Sequence, residues 1–178
     1  GDLDLLIGRI GQFEPPLLDL CRNDGGTLVR ADSALASIVF GTADWADADG
    51  DGDFDLLVGG NLIRPDETGE TVVRILFRGA NGWTPVDIVH EFQSVEEPWL
   101  DFDGVTWADY DSDGDVDLLI TGQQLGDGEI IGRSEVYANQ GGVFALAGAP
   151  LPAPNFGNTG GAFTWFDVDG DGDLDYFV

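Results

Sequence analysis

An aspartate-rich loop recurs three times in this chain with one spacing, and an apolar run follows each copy directly. Residues 45–59 read WADADGDGDFDLLVG, which puts Asp47, Asp49, Asp51 and Asp55 at loop positions 1, 3, 5 and 9 and Gly52 at position 6. The second copy carries Asp109, Asp111, Asp113, Gly114 and Asp117 behind Trp107, and runs into Leu118-Leu119-Ile120. The third carries Asp167, Asp169, Asp171, Gly172 and Asp175 behind Trp165, and runs into Tyr176-Phe177-Val178. Carboxylates on alternate residues of a curled loop can converge on one point, and a hard cation such as Ca²⁺ takes six to eight oxygens at about 2.3–2.6 Å. Glycine at position 6 permits the sharp reversal that a Cβ would obstruct. Position 7 (Asp53, Asp115 and Asp173) would offer its backbone carbonyl, and the aspartate at position 9 could bind through both oxygens. The spacing predicts one Ca²⁺ per loop, about three per chain. The other reading is a solvated acidic turn, in which four close carboxylates repel one another uncompensated.

The same loops explain much of the charge. The chain of 178 residues carries a formal charge of −27, from 34 acidic and 7 basic residues. Three divalent cations would still leave roughly −21, which argues against nucleic acid or an anionic membrane as partner. Apolar content of 43% and aromatic content of 11% are too high for a disordered acidic tail, so the chain is expected to fold. No apolar stretch is long enough to span a bilayer as a helix, and membrane insertion is not expected. The single cysteine, Cys21, excludes an internal disulfide and is expected to be a small buried side chain. Loops of this kind suit millimolar calcium, so the expected location is extracellular or on a cell surface.

Repeats organise the rest of the chain. Gly1-Asp2-Leu3-Asp4-Leu5-Leu6-Ile7-Gly8 matches the second half of the loop motif, Gly52 to Gly59. The chain thus begins and ends inside a copy, as expected of a segment of a longer array. Copies recur after 51, 62 and 58 residues, a period typical of solenoids, propellers and arrays. The units run over residues 1–33, 34–98, 99–157 and 158–178, the first and last partial. A second motif lies between the loops: Asn23-Asp24-Gly25-Gly26 and Asn139-Gln140-Gly141-Gly142, with a looser copy at Gly79-Ala80-Asn81-Gly82, each flanked by apolar residues as in a tight β-hairpin.

Each full unit therefore predicts about four antiparallel strands. In the second unit they cover 37–45, 55–62, 71–78 and 82–89, and in the third 104–108, 117–121, 131–139 and 142–146. The strand after each loop is apolar at consecutive positions, as in an inner strand covered on both faces. Residues 91–103 and 147–160 read as connections and 61–71 as a polar loop. No stretch shows helical periodicity, and the 27 glycines and 8 prolines oppose helices. The fold expected is all-β.

The W-x-D-x-D-x-D-G-D-x-D-L-L-V stretch, the N-x-G-G hairpin and the period near 60 residues together resemble the FG-GAP/VCBS repeats of integrin-like β-propellers. That resemblance covers nearly the whole chain. It implies tandem four-stranded propeller blades, about three here, with the calcium loop joining the first two strands of each. It implies calcium ligands at Asp47, Asp49, Asp51, Asp53 (through its carbonyl) and Asp55, and at the matching positions of the other two loops. Gly59-Gly60-Asn61 and Thr121-Gly122-Gln123 stand where integrin-type repeats have Gly-Ala-Pro, which favours the bacterial VCBS-like branch.

Trp45, Trp107 and Trp165 each stand two residues before a loop and are expected to pack between blades, the other reading being platforms for sugars. Trp83 and Trp99 lie outside that register and are candidates for exposed recognition. His90 has no triad partners nearby in sequence. No nucleophile elbow, zinc spacing or phosphate loop is present, and an enzyme is not expected. A two-carboxylate hydrolase stays open through Glu67, Glu70, Glu91, Glu96 and Glu97. The expected function is a calcium-stabilised structural or adhesive module, part of a longer surface protein or fibre, whose partners are other chains or further copies of the array. The alternatives are a glycan-binding, lectin-like propeller and the non-catalytic propeller of a secreted enzyme.

Overall fold

The computed structural model describes residues 5–9, 17–32, 38–63, 69–88, 102–126, 129–149, 151–152 and 164–177. Among them every regular element is a β-strand and all pairing is antiparallel. The first sheet orders β1 (Leu5–Arg9), β2 (Leu17–Asp24) and β3 (Thr27–Asp32) as a meander. The second orders β4 (Ile38–Ala46), β5 (Asp55–Ile63), β6 (Gly69–Gly79) and β7 (Gly82–Ile88). In the third, β8 (Phe102–Ala108), β9 (Asp117–Gly126), β10 (Glu129–Asn139) and β11 (Phe144–Leu146) follow in order, and β12 (Leu151–Pro152) also pairs with β10. β13 (Thr164–Phe166) and β14 (Asp175–Phe177) form the last, two-stranded sheet.

One register repeats through the sheets. Trp45 pairs with Leu56 and Ala46 with Asp55, Trp107 with Leu118 and Ala108 with Asp117, and Trp165 with Tyr176 and Phe166 with Asp175. Each aspartate loop therefore closes the hairpin between the first two strands of its sheet, on the same pair of positions. In the first sheet Leu5 pairs with Cys21 as Leu56 pairs with Leu76 and Leu118 with Tyr137, so β1 corresponds to β5 and β9.

The sheets pack face against face. A β-strand sends successive side chains to opposite sides, so a consecutive apolar run serves two cores at once. Leu56 and Val58 enter a cluster with Leu20, Val72 and Leu76, joined by Leu6, Trp45 and Trp83. Leu57 points the other way, into a cluster with Val73, Ile75, Val105, Trp107, Leu118, Ile120 and Tyr137. The first cluster joins sheets one and two, and the second joins sheets two and three. Polar bonds cross the second junction: Val105 N donates to Thr42 Oγ1, and Asp44 Oδ2 accepts from Trp107 N and Thr106 Oγ1.

The structure lengthens several hairpins. Residues expected as a polar loop, 61–71, instead contribute Asn61–Ile63 to β5 and Gly69–Thr71 to β6, still in register. β9 and β10 likewise run past the expected strand ends at Thr121 and Ile131. Backbone pairing continues there without an apolar pattern to announce it. The fourth strand of the third sheet is shorter than expected and is split, because β11 covers only the last residues of β10 and β12 returns to pair with Arg133 and Ser134. Part of 147–160 is thus strand rather than connection. Cys21 is only half-buried, since β2 lies in a sheet of three strands with an exposed outer face. Trp99, His90, Glu67, Glu91, Glu96 and Glu97 lie outside the described residues. Among the described residues no helix is long and apolar enough to cross a membrane.

Candidate metal centres

The loops curl because their own backbone amides turn inward onto their carboxylates. Position 1 receives the amide of the position-6 glycine in every copy: Gly52 N to Asp47 Oδ2 at 3.0 Å, Gly114 N to Asp109 Oδ2 at 3.1 Å, and Gly172 N to Asp167 Oδ2 at 3.2 Å. These glycines hold φ of 93°, 98° and 98°, a left-handed backbone that costs a Cβ-bearing residue about 1–2 kcal/mol. Position 4 needs the same conformation, with φ of 74° at Gly50, 77° at Gly170 and 59° at Ser112. Spacing alone conceals that requirement, because a serine takes the place of glycine in one copy of three.

Three carboxylates then meet in each loop. Oxygens of Asp47, Asp49 and Asp55 lie within 4.8 Å of one another, as do those of Asp109, Asp111 and Asp117, and those of Asp167, Asp169 and Asp175. Positions 1, 3 and 9 are thereby brought together. Position 5 stands outside these groups, and its Oδ1 accepts the position-7 amide instead: Asp53 N to Asp51 and Asp115 N to Asp113 at 2.9 Å, Asp173 N to Asp171 at 3.0 Å. The position-7 side chains of Asp53, Asp115 and Asp173 are exposed.

Position 9 does more than the spacing suggested. Asp55 is fully buried, and its two oxygens accept Ala48 N of its own loop and Arg78 N of β6, both at 2.8 Å. Asp117 repeats this with Tyr110 N at 3.0 Å and Asn139 N of β10 at 2.8 Å. The residue thus rivets the loop to the third strand of its sheet while leaving lone pairs for a cation, since a carboxylate has about four acceptor sites. Burial pushes both carboxyls above the ordinary aspartate value, and the donated amides only partly offset it. Asp175 accepts Val168 N at 2.9 Å but is exposed, having no third strand beside it among the described residues.

The donor set fits a hard cation. All the groups consist of aspartate oxygens, with no nitrogen or sulfur among them. Oδ1 of Asp47 is buried without a hydrogen-bond partner among the described residues. A buried, unmatched carboxylate oxygen is costly, and a cation held by Asp47, Asp49 and Asp55 would satisfy it.

The aromatic residues before the loops pack as expected. Trp107 is buried against Phe144, and Trp165 stands 6.5 Å from Tyr110 of the preceding loop. Trp83, expected as an exposed recognition residue, is half-buried: its ring lies 6.3 Å from Trp45, and the Arg78 guanidinium sits 5.8 Å from its centre. β7 carries it onto the junction with the first sheet, a long-range placement that local spacing does not reveal.

No curated protein and no solved structure matches the chain. Residues 109–178, which hold the second and third loops, match the family model of the FG-GAP-like repeat, and this match supports the FG-GAP family for that stretch.

Proposed function

We propose that this chain is a calcium-stabilised repeat module with a structural or adhesive role outside the cell or at its surface, built from blades of the β-propeller kind. The observation that carries the reading is the repetition of one oxygen group at positions 1, 3 and 9 of three loops in identical hairpin register. The buried, unpartnered Oδ1 of Asp47 and the match to the FG-GAP-like repeat support it. Asp51, Asp113 and Asp171, with the carbonyls of Asp53, Asp115 and Asp173, would complete each site. Calcium, when bound, supplies the positive charge that clustered carboxylates lack, so its binding free energy becomes folding free energy. Packing of Trp83 against Trp45 makes it a poor sugar-stacking platform, and the partners proposed are other protein chains or further copies of the array. The role proposed is non-enzymatic.

A thermal melt with excess Ca²⁺ and again with chelator, beside calorimetric counting of bound ions, tests this. Saturation at a hundred times the dissociation constant stabilises by about 2.7 kcal/mol per site. Expected are about three ions per chain and a large upward shift of the melting temperature. An unchanged melt would refute the calcium reading.

A further inference from the structure

The Asn-x-Gly-Gly hairpin has a role beyond making a turn. Asn139 ends β10, is 1% exposed, and spends its whole side chain on backbone groups. Its Oδ1 accepts Gly142 N at 2.8 Å, closing the turn. Its Nδ2 donates to Val116 O at 2.9 Å, one residue before Asp117 in the third sheet's loop. The same Nδ2 donates to Ala48 O at 2.7 Å, between Asp47 and Asp49 in the second sheet's loop. The backbone N of Asn139 holds Asp117 itself. One amide therefore grips both candidate metal loops where their aspartates converge. The turn also touches the neighbouring site directly: a Cβ on Gly142 would lie 3.1 Å from the Cβ of Asp49.

Among the described residues the second sheet shows no such device. Arg78 occupies the place of Asn139, since its N donates to Asp55 Oδ1 as Asn139 N does to Asp117 Oδ1. Its guanidinium lies over Trp83.

We infer that Asn139 is a positioning residue that couples two metal centres, so that cation binding in loop 47–55 strengthens binding in loop 109–117 and the reverse. This rests on the calcium reading above. Curling either loop around a cation fixes the carbonyl that Asn139 holds there, and the buried amide cannot shift without leaving a hydrogen bond unmade. The other loop is then held closer to its bound shape. Coupling of this sort is reciprocal and typically about fivefold or more.

The test uses the full chain with the third loop silenced by Asp167→Asn and Asp169→Asn, titrated with Ca²⁺ by calorimetry. With Asn139 in place, Asp109→Asn should weaken binding in loop 47–55 by about fivefold or more, and Asp47→Asn should weaken loop 109–117 by the same factor. In Asn139→Ala, and in Asn139→Asp, which keeps the turn acceptor but loses the donor, each loop should ignore loss of the other. A merely structural asparagine would lower both affinities and leave the cross-dependence intact, which would overturn the clamp. Should neither Asn139 variant fold, the Asp47→Asn and Asp109→Asn pair decides alone, and independence there overturns the proposal. Calcium bound at mutually indifferent affinities refutes the clamp only. No heat of binding in any form refutes the calcium reading as well.

Discussion

Asp55 accepts two backbone amides and also lends an oxygen to the group with Asp47 and Asp49, so its loss has two separable consequences. Asp55→Ala strands the amides of Ala48 and Arg78, and about 2–4 kcal/mol should be lost in chelator as well as in calcium. Asp49→Asn keeps an acceptor for Asp51 N and removes only charge, so it should cost stability in calcium and little without it. Denaturant midpoints of both variants in both conditions check this; equal behaviour would refute the double role. Ser112 sits at φ 59° where its counterparts are glycines. Ser112→Gly should therefore stabilise, by about 0.5 kcal/mol once glycine's extra chain entropy is set against the relieved strain. A lowered midpoint would show that the serine side chain contributes something the backbone angle does not reveal.

At the scale of the element, hairpin register was legible because the loop and the apolar run behind it recur together. Trp45, Trp107 and Trp165 meet Leu56, Leu118 and Tyr176 in one register, and the run from Leu56 to Gly60 is buried on both faces, as its pattern implied. Strand length was less legible. Past Asn61 and Thr121 the ladders continue on main-chain hydrogen bonds, which any sequence but proline can make. Polar contacts between sheets were not legible. Asp44 looks like one more acidic residue among many, yet its Oδ2 accepts from both Thr106 and Trp107 of the next sheet. Asp44→Ala should cost about 1–3 kcal/mol by chemical denaturation, with or without calcium. No change would mean that water replaces the carboxylate there.

Across the whole molecule, charge repulsion works against folding. Without a cation, a net −27 and two carboxyls desolvated in the fold oppose compactness. The folded-state values of Asp55 and Asp117 lie above the ordinary 3.8, raised by burial. As pH falls through those raised values, the folded protein takes up protons before the unfolded chain does, so stability rises, and the gain is complete near 3.8. Metal-free protein should thus be more stable at about pH 4 than at about pH 7, and calcium-loaded protein the reverse, since protons then compete with the cation. Denaturant midpoints at both pH values check the sign. A metal-free form that weakens on acidification would refute it.

The amino-acid sequence by itself determined the all-β class, the three aspartate loops and the hairpin that each loop closes. These rest on interactions within about a dozen residues, and alternation, glycine and spacing encode such interactions directly. Tertiary structure decided the rest. Only the approach of β6 and β10 makes Asp55 and Asp117 rivets as well as candidate ligands. The junction of the first two sheets draws Trp83 under cover. Packing of the second sheet on the third lets Asn139 reach Ala48, 91 residues away. Such partners are chosen by which faces pack together, and no local pattern carries that information.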